Sequence, residues 1–429
     1  MIIKLHLKNK FLIFNFNNKM LQDLYCQGFL NININDVSPD FIAVTNKAKN
    51  KLHQEILAKS NPALAVIDNE SDDEIFENLA QKIKKYSQIL LLGVGGSSLG
   101  AKTICALNLH CKIEFLESID PQTIDNILSK IDLAQCFFLI VSKSGETVET
   151  ICQSLIIIDK LQKINLNSKD FSSRFLFITA NFQSSLAKIA QQISAQIIPH
   201  PANIGGRYSV FSVVGILPAL IADLDIKKFR RGAKKAIEDF ISNSQISEAC
   251  AIQLELYNRG FSNNVFMPYV DILKNFTDWY RQLLAESLGK NGYGATPINS
   301  MGTVDQHSQL QLYLEGKSDK FFTFISNKKN QKDFAINDLD QCQTLFGRKN
   351  LSQILEIEKN TTIEVLRQKK LPIRNFEINE INEESLGALM MQMFLEIMTI
   401  AYAKNIDPFD QPAVELRKDL AKKILTNLL

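Results

Sequence analysis

Paired cysteines, charge of one sign and long apolar runs are all missing from this sequence, and each absence narrows what the chain can be. Seven cysteines (Cys26, Cys105, Cys111, Cys136, Cys152, Cys250 and Cys342) are scattered, odd in number and never spaced as CxxC. That spacing excludes a disulfide framework and a zinc-ribbon type of site, and it fits a reducing, cytoplasmic setting. Basic and acidic residues nearly cancel, 48 against 46, with no basic block, so no strong field draws the chain to nucleic acid or to an acidic membrane. The longest apolar run, 210–222, is interrupted by Ser212, Gly215 and Pro218 and is shorter than the about 20 residues that cross a bilayer. The apolar stretches within 1–18 are broken by Lys4, Lys8 and Lys10; they are too short for a signal peptide and read as a strand pair. There is no internal repeat, no low-complexity linker and no GxxxxGK[ST] phosphate loop, so a nucleoside triphosphate is not expected.

What is present is a soluble globular balance over 429 residues, long enough for two or three domains with sizeable cores. Between 88 and 201, short apolar runs at 89–92, 113–116, 136–141, 175–179 and 196–199 alternate with helix-length periodic segments such as 147–161 and 184–192. Apolar runs separated by helices predict a parallel sheet covered on both faces, a doubly wound α/β domain. Ligands of such sheets sit at the carboxyl ends of the strands. A second α/β unit richer in helix follows. Its expected strands are 264–270, 320–326 and 372–378, its expected helices 229–240, 249–258, 273–286, 351–368, 384–403 and 411–428. The polar stretch 326–340 reads as an exposed loop.

The chemistry-bearing residues cluster at the predicted strand ends. Ser142-Lys143-Ser144-Gly145-Glu146-Thr147 lies between the third apolar run and a helix; hydroxyls, a glycine and a lysine at a helix N-terminus suit an anion, most naturally a phosphate. Gly93-Val94-Gly95-Gly96-Ser97-Ser98-Leu99-Gly100 follows the first run. Ser98 occupies the last glycine position of a GxGxxG fingerprint, while Glu117 could imitate the ribose-binding acid, so a dinucleotide competes here. Two hydroxyl-bearing loops at neighbouring strand ends suit one compact phosphate ester better. Gly205 and Gly206 precede Arg207 and let the backbone approach closely while aiming a guanidinium into the crevice; the plain alternative is a glycine turn with a surface arginine. Gln282 and Glu286, four apart, share one helix face, which in most amphipathic helices is simply solvated. His307 lies in a polar run and is the best acid/base candidate of five histidines; His6, His53, His110 and His200 read as structural or exposed. Gln411 and Lys418, seven apart on the last helix, also share a face, a weak signal by itself.

Taken together and in order, these motifs resemble the glucose-6-phosphate isomerase (phosphoglucose isomerase) family of the sugar isomerase (SIS) fold, in a compact bacterial-type form. The most specific pieces are Gly205-Gly206-Arg207-Tyr208-Ser209, Gln282…Glu286-Ser287…Gly289-Lys290, and Phe409-Asp410-Gln411…Val414-Glu415-Leu416…Lys418. The resemblance implies two SIS-type αβα sandwich domains with parallel-rich sheets and a helical C-terminal tail. It divides the chain into an N-terminal segment (1–60) packing on the second domain, a first domain (61–224) and a second domain with the C-terminal helix (225–429). It implies an aldose–ketose isomerase that interconverts glucose 6-phosphate and fructose 6-phosphate through a cis-enediol(ate), with no metal or cofactor. By that likeness Ser142, Lys143, Ser144 and Thr147 bind phosphate, and Gly96, Ser97, Gln282 and Gln411 contact sugar or phosphate. Glu286 is the base, His307 and Lys418 open the ring, and Arg207 faces the enediolate. The family is homodimeric, with the histidine donated across the interface; neither nucleic acid nor membrane is an expected partner. Ser98 stands where many members have aspartate, and Glu146 adds a carboxylate that must turn away from the phosphate or be neutralised by Lys143. Rival readings are a non-catalytic phosphosugar-sensing module and an isomerase for another hexose phosphate such as mannose 6-phosphate.

Overall fold

The computed structural model describes residues 21, 23–164, 168–329, 332–337 and 344–427. The strand pair expected in 1–18, part of the 326–340 loop and Cys342 lie outside them. Ten strands are present among the described residues: β1 (Tyr25–Phe29), β2 (Gln88–Leu92), β3 (Ile113–Leu116), β4 (Cys136–Val141), β5 (Phe175–Thr179), β6 (Gln196–Pro199), β7 (Asn263–Pro268), β8 (Thr296–Asn299), β9 (Lys320–Asn327) and β10 (Ile373–Ile378). They form two five-stranded sheets, ordered β3-β2-β4-β5-β6 and β1-β10-β9-β7-β8. Every pairing in the first sheet is parallel. In the second, β1 alone runs antiparallel, on β10. This is the expected α/β class with parallel-rich sheets and a helical C-terminal region.

The continuous apolar runs make sense once both faces of the first sheet are followed. Ile89, Leu91, Phe137, Leu139, Leu176 and Ile178 point into one core. Their neighbours Leu90, Leu92, Phe138, Ile140, Phe175 and Phe177 point into another. Because strand side chains alternate, a strand covered by helices on both sides must be apolar at every position. In the second sheet the Glu383–Ala403 helix supplies much of the core. It is long and apolar enough to cross a membrane by composition, yet 89% of its most apolar window is buried inside the protein. It is a core helix in this fold.

Residues 25–57 belong structurally with the second sheet although they precede the first in the chain. β1 pairs with β10, and Tyr25 donates from its hydroxyl to Gln392 Oε1 on the core helix at 2.5 Å. The Pro39–Leu57 helix, capped by Ser38 with proline at its first turn, packs on the Gln245–Asn258 and Glu383–Ala403 helices. The 210–222 run forms a short 3-10 turn and the buried Val213–Ile221 helix, with Pro218 inside it.

Candidate active site

β4 ends at Val141 and the chain turns through Ser142–Thr147 before the Val148–Gln162 helix begins. Gly145 adopts a left-handed φ of +67°, and a Cβ there would sit 2.0 Å from Ser184 Oγ; only glycine fits. The turn is wired internally: Ser142 Oγ and Thr147 Oγ1 share a hydrogen at 3.0 Å, and Ser144 Oγ accepts the Glu146 N–H. Thr147 occupies the N-cap position without using its side chain to cap, which leaves first-turn N–H groups facing the loop for an anion. Glu146 does point away. Its carboxylate accepts the Ser185 N–H and hydroxyl, both at 2.8 Å, so it caps the neighbouring Ser185–Gln192 helix, where a negative charge is favoured. Lys143 does not neutralise it.

The turn after β2, Gly95–Ser97, packs directly on the turn that carries Arg207. A Cβ on Gly96 would lie 2.2 Å from the Gly206 carbonyl carbon and 2.6 Å from the Arg207 nitrogen, so the two backbones meet with no room for a methyl group. Ser98 donates to Glu117 Oε1 at 2.6 Å, and Lys102 bonds the other carboxylate oxygen at 2.7 Å. Glu117 is therefore committed to bracing the turn. Ser97 is half-buried.

Four candidates converge around Arg207. Its guanidinium donates from Nε to Ser287 Oγ at 2.8 Å, from Nη1 to Gln411 Oε1 at 2.8 Å and to Glu286 Oε2 at 3.3 Å, and from Nη2 to the Pro408 and Asp410 carbonyls. All five donors are engaged, and the side chain is 1% exposed. The second Glu286 oxygen accepts Gln282 Nε2 at 3.0 Å, whereas Gln282 Oε1 is buried with no partner among the described residues. Glu286 itself is 30% exposed, so the carboxylate is held from two sides and open on a third. Burial, then the positive charge of Arg207, lowers the pKa of the Lys143 ammonium. Two cations close enough to feel each other are a setting for a bound anion.

Several members of this cluster stand in the quoted motifs but are given no role there. Ser287 and Tyr208 are fully buried, and their hydroxyls lie 2.9 Å apart beneath Arg207. Lys290 bonds Asp410 Oδ1 at 2.6 Å. Of the two readings of His200, structural or exposed, the structure gives the buried one: it is 2% accessible, its Nε2 has no partner among the described residues, and burial pushes the imidazole down to about 4, with Lys143 adding to the effect against the Pro201 hydrogen bond. A buried serine next to the carboxylate and an aromatic hydroxyl next to the arginine were the available signals.

Neither His307 nor Lys418 makes a hydrogen bond or ion pair with Glu286 among the described residues. His307 ends a short 3-10 turn, is exposed, and makes no side-chain hydrogen bond to a described residue; the turn is held by Asp305, which accepts from Met301 N–H and Ser308 Oγ. Lys418 lies on the C-terminal helix (Pro412–Asn427), half-exposed and paired with Glu415 at 2.7 Å. The same helix approaches the Ser142–Thr147 loop through Arg417, 3.8 Å from Glu149 in the first turn of the Val148–Gln162 helix.

Known proteins resemble this chain along most of its length. Residues 75–429 match the phosphoglucose isomerase family. A probable glucose-6-phosphate isomerase of Methanococcus maripaludis is 35% identical, covering 83% of this chain and 83% of its own. The glucose-6-phosphate isomerase of Campylobacter jejuni is 32% identical over 80% of this chain and 87% of its own. Among solved structures, a hypothetical protein of Thermus thermophilus superposes with a TM-score of 0.81 at 27% identity, covering 90% of this chain and 97% of its own. A glucose-6-phosphate isomerase from Chlamydia trachomatis shares the fold, with a TM-score of 0.77 at 18% identity over 95% of this chain and 89% of its own. On the family match and this level of identity over most of its length, the chain belongs to the phosphoglucose isomerase family.

Proposed function

We propose that the chain is a glucose-6-phosphate isomerase whose cleft is built from the Ser142–Thr147 loop, the Gly95–Ser97 turn and the Glu286 helix. The observation that carries this reading is the carboxylate of Glu286, oriented by Gln282 and Arg207 yet open on one side, facing loops suited to a phosphate. A hydrogen α to a carbonyl is a weak acid, so aldose–ketose exchange needs one base that takes the proton from C2 and returns it to C1. Glu286 fills that role without calling on a metal or cofactor. As it accepts the proton it loses its charge, and negative charge grows on the enediolate oxygens instead. Arg207, a fixed positive charge beside the carboxylate, stabilises that growing negative charge. The Gln282 carbonyl without a partner is placed to accept from a sugar hydroxyl, and Gln411 flanks the same guanidinium. Ser142, Lys143, Ser144 and Thr147 hold the phosphate at the far end, with Gly96 and Ser97 along the sugar, so that C1 and C2 reach the base.

The dominant substrate is a closed ring, and ring opening falls to His307 and Lys418. His307 is exposed beside Val304, 68% accessible, and the C-terminal helix presents Leu416, Leu420 and Ile424 in an exposed stripe four residues apart. These apolar surfaces support a homodimer in which His307 completes the neighbouring subunit's cleft. The buried or unpaired cysteines suit a cytoplasmic enzyme. The test is a coupled assay of fructose 6-phosphate conversion to glucose 6-phosphate with no added metal, run beside mannose 6-phosphate. Turnover of mannose 6-phosphate alone, or of neither, would overturn the assignment.

A further inference from the structure

We propose that Lys290 is a positioning residue for ring opening, holding the base of the C-terminal helix so that Lys418 reaches the substrate. The proposal rests on the reading of Lys418 given above.

Lys290 follows Gly289, which ends the Lys274–Leu288 helix that bears Glu286. Its side chain is 11% exposed and reaches into the turn between the core helix and the C-terminal helix. There the ammonium bonds Asp410 Oδ1 at 2.6 Å and donates a second bond to the Asp407 carbonyl. Arg207 takes the Pro408 and Asp410 carbonyls of the same turn. Three carbonyls and one carboxylate within four residues are thus tied to two cations from different elements. Pro412 starts the C-terminal helix two residues later.

That turn ties the start of the helix to the body of the protein. Its apolar stripe is exposed, and its link to the first domain through Arg417 and Glu149 spans 3.8 Å between exposed or partly exposed groups, a contact worth little in water. Lys418 lies six residues beyond Pro412, about 9 Å along the helix axis. A small rotation at the turn is therefore magnified at Lys418. Glu286 is held by Gln282, which does not touch the turn, and by Arg207, which keeps its own bonds to the turn when the Lys290 ammonium is removed. Loosening Lys290 should consequently damage ring opening more than proton transfer.

The two steps separate with 5-deoxyfructose 6-phosphate. It lacks the C5 hydroxyl that closes the furanose ring, and its C6 oxygen is blocked by phosphate, so it is always open-chain. The purified full-length chain and the variants Lys290→Ala, Lys290→Arg and Asp410→Asn would be assayed on this compound, by solvent-deuterium incorporation, and on fructose 6-phosphate. Lys290→Ala should lose about tenfold or more on fructose 6-phosphate, as expected for a misplaced group, and change less than about threefold on the open-chain compound. Asp410→Asn should move the ratio of the two rates in the same direction, and Lys290→Arg should restore it. The ratio does not depend on how much of a sample is folded, so simple destabilisation leaves it unmoved. Equal losses on both substrates, or no loss on either, would overturn the proposal while leaving the enzyme's function intact. A wild-type chain inert toward both would remove the function and the proposal together.

Discussion

Arg207 looks from its sequence like a free guanidinium aimed at substrate, but every one of its donors is already engaged by the protein. A buried arginine so fully bonded works as a fixed charge, and the loss of any one acceptor exposes how much of the cleft it organises. With Glu286 in its proposed role as base, Glu286→Gln keeps the shape but removes the base, and turnover should fall by about three orders of magnitude with substrate still bound, the scale of a lost general base. Near-normal turnover in a purified variant would sink the assignment. His200 offers a separate, titratable check. Its folded-state imidazole takes a proton only near pH 4, against 6.5 for the free side chain. Between those values the unfolded chain binds more protons, so stability is lost as pH falls through that window. Melting temperature should drop more steeply from pH 7 to 5 in the wild type than in His200→Gln; parallel slopes would show that His200 is not responsible.

At the scale of elements, the strands of the first sheet were legible because burial on both faces makes each of them a continuous apolar run. β1 and β8 were not. β1 is five residues with Gly28 inside and an uneven burial pattern, and β8 is a four-residue strand containing Pro297. Neither carries a pattern that survives without its partner strand. The Pro39–Leu57 helix was missed despite its Ser38–Pro39 start signal, because its buried face is narrow, with Thr45, Ala48 and Leu52 fully inside. In the site, the carboxylate, the arginine and the glutamines were legible as side chains. The Pro408 and Asp410 carbonyls were not, since backbone acceptors leave no trace in residue type. The Ser142–Thr147 loop, proposed to hold phosphate, makes its own predictions. Ser144→Ala with Thr147→Ala should raise KM by about tenfold or more, as two hydrogen bonds to a charged group are lost, with little change in kcat; an unchanged KM would count against the phosphate reading. Glu146→Ala should cost about 1 kcal/mol or less in stability, by analogy with a lost helix cap, and leave KM alone. A large rise in KM would instead place that carboxylate in the binding site.

For the whole molecule, the proposed sharing of each cleft between two subunits carries the largest consequence. If each cleft is completed by the partner, Glu286→Gln and His307→Ala homodimers are both inactive, yet a mixed dimer contains one intact cleft built from the two unmutated residues. Unfolding and refolding the two variants together in equal amounts should recover about a quarter of wild-type activity, as random pairing into a two-fold dimer requires. No recovery, with mixed dimers demonstrated by mass, would place all the chemistry within single subunits.

The contact between Gly96 and the Gly206–Arg207 backbone sets a limit of another kind. Two loops more than a hundred residues apart in the chain meet with no gap at all, so neither can be redesigned or inherited alone. A recombinant that joins the first part of this sequence to the remainder of a distant relative must keep that seam flush. One added methyl at position 96 would act as a wedge, prising the arginine-bearing turn from the Gly95–Ser97 turn without altering a single functional group.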